Sequence, residues 1–291
     1  MEQRDSVFLF GTGRSGTTLL LRMLATHPDL AWFSNLNEKF VRWPALSLLS
    51  RTRDFDMTSG SSKGWKRVLP MPAEAIEVPR FVTDGLFQSR GQLTTADIDA
   101  AIVKRYRDYL GKVARWQGKH RLLHKHTGFA RTEFLDQVDP SGRFVQIVRD
   151  GRAVAYSLTR VEWWSNDAKS WWGDMPDEYE EEFEQSGRDP LVLAAIVWKH
   201  LLDVTADEAD ALAPDRMLTV SYTDFVRRPL EYMEAICDHC NLELSARYLR
   251  RLAKFRIRDA DEAWKSGLSS DQVDGLNRSL EPHLQRFGFE V

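Results

Sequence analysis

Residues 7–24, VFLFGTGRSGTTLLLRML, decide how the rest of the chain is read. Residues 7–10 (VFLF) are all apolar, the pattern of a short strand buried on both faces. Gly11-Thr12-Gly13-Arg14-Ser15-Gly16 supplies the backbone freedom of a tight loop. Thr17 and Thr18 then open an amphipathic helix whose apolar side includes Leu20, Met23 and Leu24. Strand, glycine-rich loop and helix N-terminus in that order make an anion cradle. Loop N–H groups and the positive end of the helix dipole converge on one point.

The loop departs from the nucleotide-binding pattern G-x-x-x-x-G-K-[ST] at one position. Gly11, Gly16 and Thr18 fit, but Thr17 stands where the lysine belongs. A magnesium-nucleotide kinase without that lysine loses its main contact to the terminal phosphates. The nearest cation is Arg14, inside the loop. GTGRSGTT therefore points to an anionic donor held by hydroxyls and a loop cation. The bland alternative, a loop that only joins strand to helix, fits poorly with small and hydroxyl residues clustered around one arginine.

The 291 residues suffice for one large α/β domain with insertions, or for two small ones. We read a single domain over 1–291, with an irregular cap insertion at about 34–91 and a tryptophan-rich, acidic insertion at about 162–189. A net charge of −3 gives no general reason to expect nucleic acid or an anionic membrane as partner. No apolar run approaches the roughly 20 residues that span a bilayer. A strand beginning at Val7 leaves no room for a signal peptide, so a cytoplasmic location is expected. Cys237 and Cys240 flank His239 one helical turn apart. A CxxC without a second pair is weak metal or redox evidence, and both are read as helix residues of a reduced protein.

Along the chain, strands are expected at 7–10, 30–33, 121–126, 143–148 and 216–222. Helices are expected at 95–116 with Thr95 as N-cap, and at 130–138, 151–160, 190–212 and 229–241. The 190–212 helix reads as strongly amphipathic. Trp163, Trp164, Trp171 and Trp172 form either a lid or acceptor-binding wall, or ordinary packing beneath a loop. The acidic run at 174–184 reads as a solvated face. Alternating strands and helices imply an α/β, three-layer P-loop-type fold: a central, mostly parallel sheet of about five strands with helices on both faces. Ligands of such sheets bind beyond the C-terminal strand ends. That rule selects the loop at 11–18, His124–His126, Arg149–Asp150 and Tyr222.

Arg149 ends a strand and Ser157 follows eight residues later, a spacing that lets guanidinium and hydroxyl face one crevice and hold a second anion. The alternatives are a structural salt bridge at Arg149, or a magnesium-binding strand end with Asp150 as ligand. The missing lysine at position 17 argues against the latter.

GTGRSGTTLL together with FVQIVRDGRAVAYS resembles the two donor-binding motifs of the 3′-phosphoadenylyl-sulfate-dependent sulfotransferases. It is most similar to the bacterial branch whose first motif carries RSGTT followed by HPD. The resemblance implies that Gly13, Arg14, Ser15, Gly16, Thr17 and Thr18 bind the 5′-phosphosulfate, and that Arg149 and Ser157 bind the 3′-phosphate. VSYTDF is similar to a strand-end Tyr-Glu-Asp segment, with Thr223 in place of Glu, which implies Tyr222 near the adenine. Trp264-Lys265-Ser266-Gly267 loosely resembles a basic segment that closes over the donor, which implies Lys265. The implied reaction transfers a sulfuryl group to a hydroxyl or amine of a small-molecule, glycan or lipid acceptor. It releases adenosine 3′,5′-bisphosphate and needs no metal. The alternatives are a nucleotide phosphotransferase with a degenerate loop and a non-catalytic nucleotide-binding relative.

Charge grows on the bridging oxygen during transfer, so Arg14 is expected to stabilise the transition state. A hydroxyl acceptor needs a general base, and the resemblance implies either Glu38, in SNLNEKF, or His126, in RLLHKHTG. His124 is expected on the opposite face from His126 if the strand extends that far.

Overall fold

The computed structural model describes residues 5–53, 69–88, 93, 95–167, 176–257 and 261–290. Five strands, β1 (Val7–Gly11), β2 (Leu30–Trp32), β3 (Arg121–Thr127), β4 (Arg143–Val148) and β5 (Met217–Ser221), form one sheet in the order β2-β3-β1-β4-β5. Every pairing among them is parallel. β1 is central and fully buried, which is why its sequence is an unbroken apolar run rather than an alternating one.

The helices are α1 (Thr17–Leu24), α2 (Asn35–Lys39), α3 (Glu77–Val82), α4 (Ala100–Trp116), α5 (Thr132–Val138), α6 (Gly151–Leu158) and α7 (Asp177–Gln185). They continue with α8 (Pro190–Ala209), α9 (Tyr222–Arg227), α10 (Pro229–His239), α11 (Ala246–Leu252), α12 (Ala263–Gly267) and α13 (Ser270–Arg286). Strand periodicity divides them into layers. Val7, Leu9, Leu123, Val145 and Ile147 pack with α1, α9, α10 and α11. The alternate residues Phe8, Phe10, Leu122 and Phe144 pack with α3, α4 and α5. Val148 leads into a further core shared by α6, α7, α8 and α13. Among the described residues no helix is long and apolar enough to cross a membrane.

Several boundaries differ from the sequence reading. Helix α4 starts at Ala100 rather than Thr95, because Asp99 caps it, its side chain accepting from the Ala101 N–H at 2.7 Å. Thr95–Asp97 forms a separate 3₁₀ turn. The helix expected at 190–212 is not amphipathic: Leu193 through Lys199 are all buried, since α8 is covered by α6, α7 and α13. Tyr222 opens α9 instead of ending a strand, with Ser221 as the cap. Cys237 and Cys240 are buried free thiols, and burial pushes both up to about 12, so neither offers a thiolate near neutrality. The acidic helix α7 turns Tyr179 and Phe183 inward and Glu178, Glu180, Glu181 and Glu184 outward, while Glu182 pairs with the buried Lys199 at 2.5 Å.

Candidate active site

The loop between β1 and α1 is held in a shape that ordinary side chains resist. Gly16 has φ 89° and Arg14 φ 69°, both in the left-handed region. A methyl group on Gly16 would also collide with the Tyr222 ring, so this position is closed to any side chain. Ser15 N–H donates to the Thr12 carbonyl at 3.2 Å, and the Thr12 and Ser15 hydroxyls bond at 2.5 Å. Thr17 is buried, whereas Arg14 and Thr18 are exposed above the N-terminus of α1.

Two motifs more than a hundred residues apart in sequence meet here. Arg14 Nε donates to Ser157 Oγ at 2.9 Å, and Arg149 Nη1 donates to the Arg14 carbonyl at 3.0 Å. The Arg149 guanidinium lies 4.7 Å from the centroid of the Tyr222 ring, which itself packs on Gly16. Loop, β4 end, α6 and β5 end thus supply Arg14, Arg149, Ser157 and Tyr222 to one crevice at the C-terminal edge of the sheet, where open α/β sheets bind ligands. Arg149 is also engaged from the other side. Its Nε donates to Asp261 at 2.8 Å, and the second carboxylate oxygen of Asp261 accepts from the Thr223 hydroxyl. The residue that departs from the strand-end Tyr-Glu-Asp pattern therefore anchors a carboxylate that arrives from elsewhere in the chain.

Lys265 is exposed on α12 and paired at 2.9 Å with Glu262, next in the chain to Asp261. Its neighbour Trp264 lies 4.5 Å beneath the Arg152 guanidinium and fixes α12 against α6. Glu38 is half-buried in the cap, and its carboxylate accepts from the Glu77 N–H at 3.2 Å where α3 begins. Burial raises its pKa, with the charges of Glu77 and Glu74 adding to the rise.

His124 and His126 share one face of β3, their rings 5.5 Å apart, because residues two apart in a strand point the same way. The expectation of opposite faces is thereby corrected. Both are buried among Phe10, Phe33, Phe87 and Tyr106. His126 Nε2 lies 2.6 Å from the Ala130 carbonyl, and burial lowers its pKa to about 4. A histidine with a folded pKa near 4 and an ordinary value of 6.5 binds its proton more readily when unfolded. Its neutral form supports the fold fully above about 6.5, and that support is lost as pH falls from there toward 4. We expect the urea midpoint to drop across that window, with His126→Gln removing part of the slope; a midpoint independent of pH between 6.5 and 4 would refute this account.

The polar face of β3 holds what the sequence reading missed. Lys125 Nζ donates to Glu74 Oε2 at 2.7 Å, and the Thr127 hydroxyl donates to the same oxygen at 2.9 Å. The Thr127 N–H donates to Glu74 Oε1. Thr127 pairs in register with Gly11, and a methyl on Gly13 would sit 3.8 Å from the Thr127 methyl and 3.9 Å from Trp163. Trp163 is 58% exposed against the loop; Trp171 and Trp172 lie outside the described residues. The only sequence signal for this cluster is that RLLHKHT turns polar at its end, because Glu74 comes from an aperiodic stretch.

A profile of the sulfotransferase family matches residues 6–246. Among solved structures, the fold is similar to sulfotransferase STF9 from Mycobacterium avium, at 17% identity and TM-score 0.62, covering 100% of this chain and 79% of that one. It is similar to the sulfotransferase domain of the curacin biosynthetic pathway, at 17% identity and TM-score 0.55, with 100% of each chain covered. The sulfotransferase domain of the Synechococcus PCC 7002 olefin synthase matches at 18% identity and TM-score 0.52, covering 100% of this chain and 96% of that one. At these identities the likeness is one of fold. No curated protein matches the sequence.

Proposed function

The chain belongs to the sulfotransferase family, and from that premise we propose that its donor is 3′-phosphoadenylyl sulfate and its acceptor a hydroxyl or amine of a small molecule, glycan or lipid. One observation carries the donor reading: Arg14 on Ser157, and Arg149 on the Arg14 carbonyl, bring two cations and a hydroxyl from separate motifs to one place. A donor with two anionic groups, a phosphosulfate and a 3′-phosphate, gives both motifs a partner. A donor with phosphates at one end only leaves Arg149 and Ser157 without a task. The resemblance to the bacterial RSGTT…HPD branch points the same way.

In this reading the loop N–H groups at residues 13–18 and the Ser15, Thr17 and Thr18 hydroxyls hold the phosphosulfate end. Arg149 and Ser157 hold the 3′-phosphate, the guanidinium as a charged donor. Tyr222 lies beneath Arg149, beside the expected place of the base. When bound, the donor supplies an activated sulfuryl group that an acceptor atom attacks in line with the departing 5′-phosphate. Arg14, exposed and bonded to Ser157, is the cation this reading assigns to the charge that grows on the departing oxygen. Trp163 forms one wall of the acceptor side by virtue of its exposed ring beside Gly13. The acidic surface of α7 and the net charge of −3 disfavour a polyanionic acceptor such as nucleic acid.

Calorimetry tests the donor. Adenosine 3′,5′-bisphosphate is expected to bind with micromolar or tighter affinity in the presence of EDTA, and magnesium-ATP at least 100-fold more weakly. A preference for magnesium-ATP would overturn the proposal in favour of a nucleotide phosphotransferase.

A further inference from the structure

We infer that Glu74 is the general base of the transfer, with Lys125 and Thr127 as its positioning residues. The inference rests on the donor reading above and adds the residue that activates the acceptor.

The geometry brings Glu74 to the reacting edge. Residues 71–74 run along the end of β2: Ala73 N–H donates to the Phe33 carbonyl at 2.9 Å, and Ser34 bridges to Pro72 antiparallel. This carries Glu74 over the end of β3, where Thr127 touches both its carboxylate and the space above Gly13. The next residue, Ala75, is buried with φ 55°, a left-handed conformation that costs a non-glycine residue about 1 kcal/mol or more. The chain holds that conformation at the point that aims Glu74.

The chemistry also fits. Three donors fix one rotamer of the carboxylate. Oε2 takes two of them and Oε1 takes only the Thr127 N–H among the described bonds, so Oε1 keeps a lone pair. The side chain is 19% exposed, open enough for an acceptor to reach. Glu38 and His126 are less well placed. Glu38 is engaged at the start of α3, and His126 is 4% exposed on the opposite, aromatic face of β3. The titratable groups around Glu74 are Lys125 in contact, then Glu38 and His126, on both of which its charge acts.

The step balances. The acceptor O–H proton passes to Oε1 as the acceptor oxygen forms its bond to sulfur. The bond from sulfur to the 5′-phosphate oxygen breaks, and its electron pair leaves on the bisphosphate. Glu74 then returns the proton to water.

The test compares the wild type with Glu74→Gln and Glu74→Asp, using ³⁵S-labelled 3′-phosphoadenylyl sulfate with water or 2-naphthol as acceptor, and calorimetry with adenosine 3′,5′-bisphosphate. E74Q is expected to transfer about 100-fold more slowly and to lose the acid limb of the pH–rate profile, since a base must be deprotonated to act. Its bisphosphate affinity should stay within threefold of wild type. E74D keeps a carboxylate at shorter reach and should recover part of the rate, with the acid limb present. E74Q turning over within threefold of wild type, or keeping the acid limb, overturns the inference and leaves the donor reading intact. So does an E74D rate no higher than that of E74Q. A wild type that neither binds the bisphosphate nor consumes the donor overturns both.

Discussion

Arg14→Ala is expected to lower sulfuryl transfer by about 10³-fold while the protein stays folded. Removing one preorganised donor from a developing oxyanion costs about 10²–10³-fold in comparable sites, and Arg14 carries a full charge on an exposed head. Its side-chain bond among the described residues, Nε to Ser157 at 2.9 Å, holds the guanidinium over α6 without tying it to the core. The melting temperature should therefore move little. The left-handed backbone at residue 14 is as awkward for Ala as for Arg, so folding cost does not confuse the result. The Arg149 contact to residue 14 uses the carbonyl, which Ala keeps. Bisphosphate affinity should consequently fall far less than turnover, because the charge Arg14 meets is greatest in the transition state. Arg14→Lys should restore part of the rate. Stopped-flow single turnovers on R14A, R14K and wild type separate these outcomes, and an R14A rate within tenfold of wild type would remove Arg14 from the chemistry.

How much of this was legible in the sequence follows from the range over which each signal acts. The strands at 7–10 and 143–148 announce themselves because a central parallel strand is apolar on both faces. The anion loop is local, its glycines and hydroxyls adjacent in the chain, so the motif can be read directly. Arg149 and Ser157 were readable because a strand end and the next helix are joined by two residues, which leaves little freedom in how they face. The Thr95 cap failed where two capping residues compete within one turn and Asp99 is the one that reaches an N–H. The burial of α8 could not be seen from its own residues, since it comes from three separate helices, α6, α7 and α13, that pack around it. Glu74 and Asp261 were invisible for the same reason. Each lies in an aperiodic stretch, and only tertiary structure brings one to Thr127 and the other to Arg149. The two histidines of β3 attracted notice as titratable groups, yet the strand's period turns them into the aromatic core and turns Lys125 and Thr127 toward the site.

Asp261 neutralises Arg149, the guanidinium proposed to hold the 3′-phosphate, and its removal is expected to have the second large effect. Its carboxylate lies 2.8 Å from Arg149 Nε with both side chains nearly buried, so it stands on the guanidinium that the proposal gives to the 3′-phosphate. A second anion at Arg149 must either share the fork or displace Asp261. In both cases the carboxylate opposes the phosphate through repulsion that little solvent screens. Asp261→Asn should remove that opposition and tighten bisphosphate binding about tenfold. The same change strips a buried cation of its partner, which costs up to about 3–5 kcal/mol when nothing replaces it. The amide still accepts from Arg149, so a smaller loss is expected, seen as a lower melting temperature without ligand. Bisphosphate should then raise the melting temperature of D261N by more than it raises that of wild type, because the phosphate supplies the missing charge. Arg149→Ala acts in the opposite sense. It removes the charged fork and orphans Asp261, and bisphosphate affinity should fall about 100-fold or more, in line with the loss of two charge-assisted bonds worth about 1.5–3 kcal/mol each. The double variant, R149A with D261N, decides whether the two act on one phosphate. If they do, the gain from D261N persists or grows once Arg149 is gone, since the phosphate then faces the carboxylate with no guanidinium to offset it. Loss of the D261N gain in the R149A background would mean that the carboxylate does not face the phosphate directly, and that the 3′-phosphate does not sit beside Asp261.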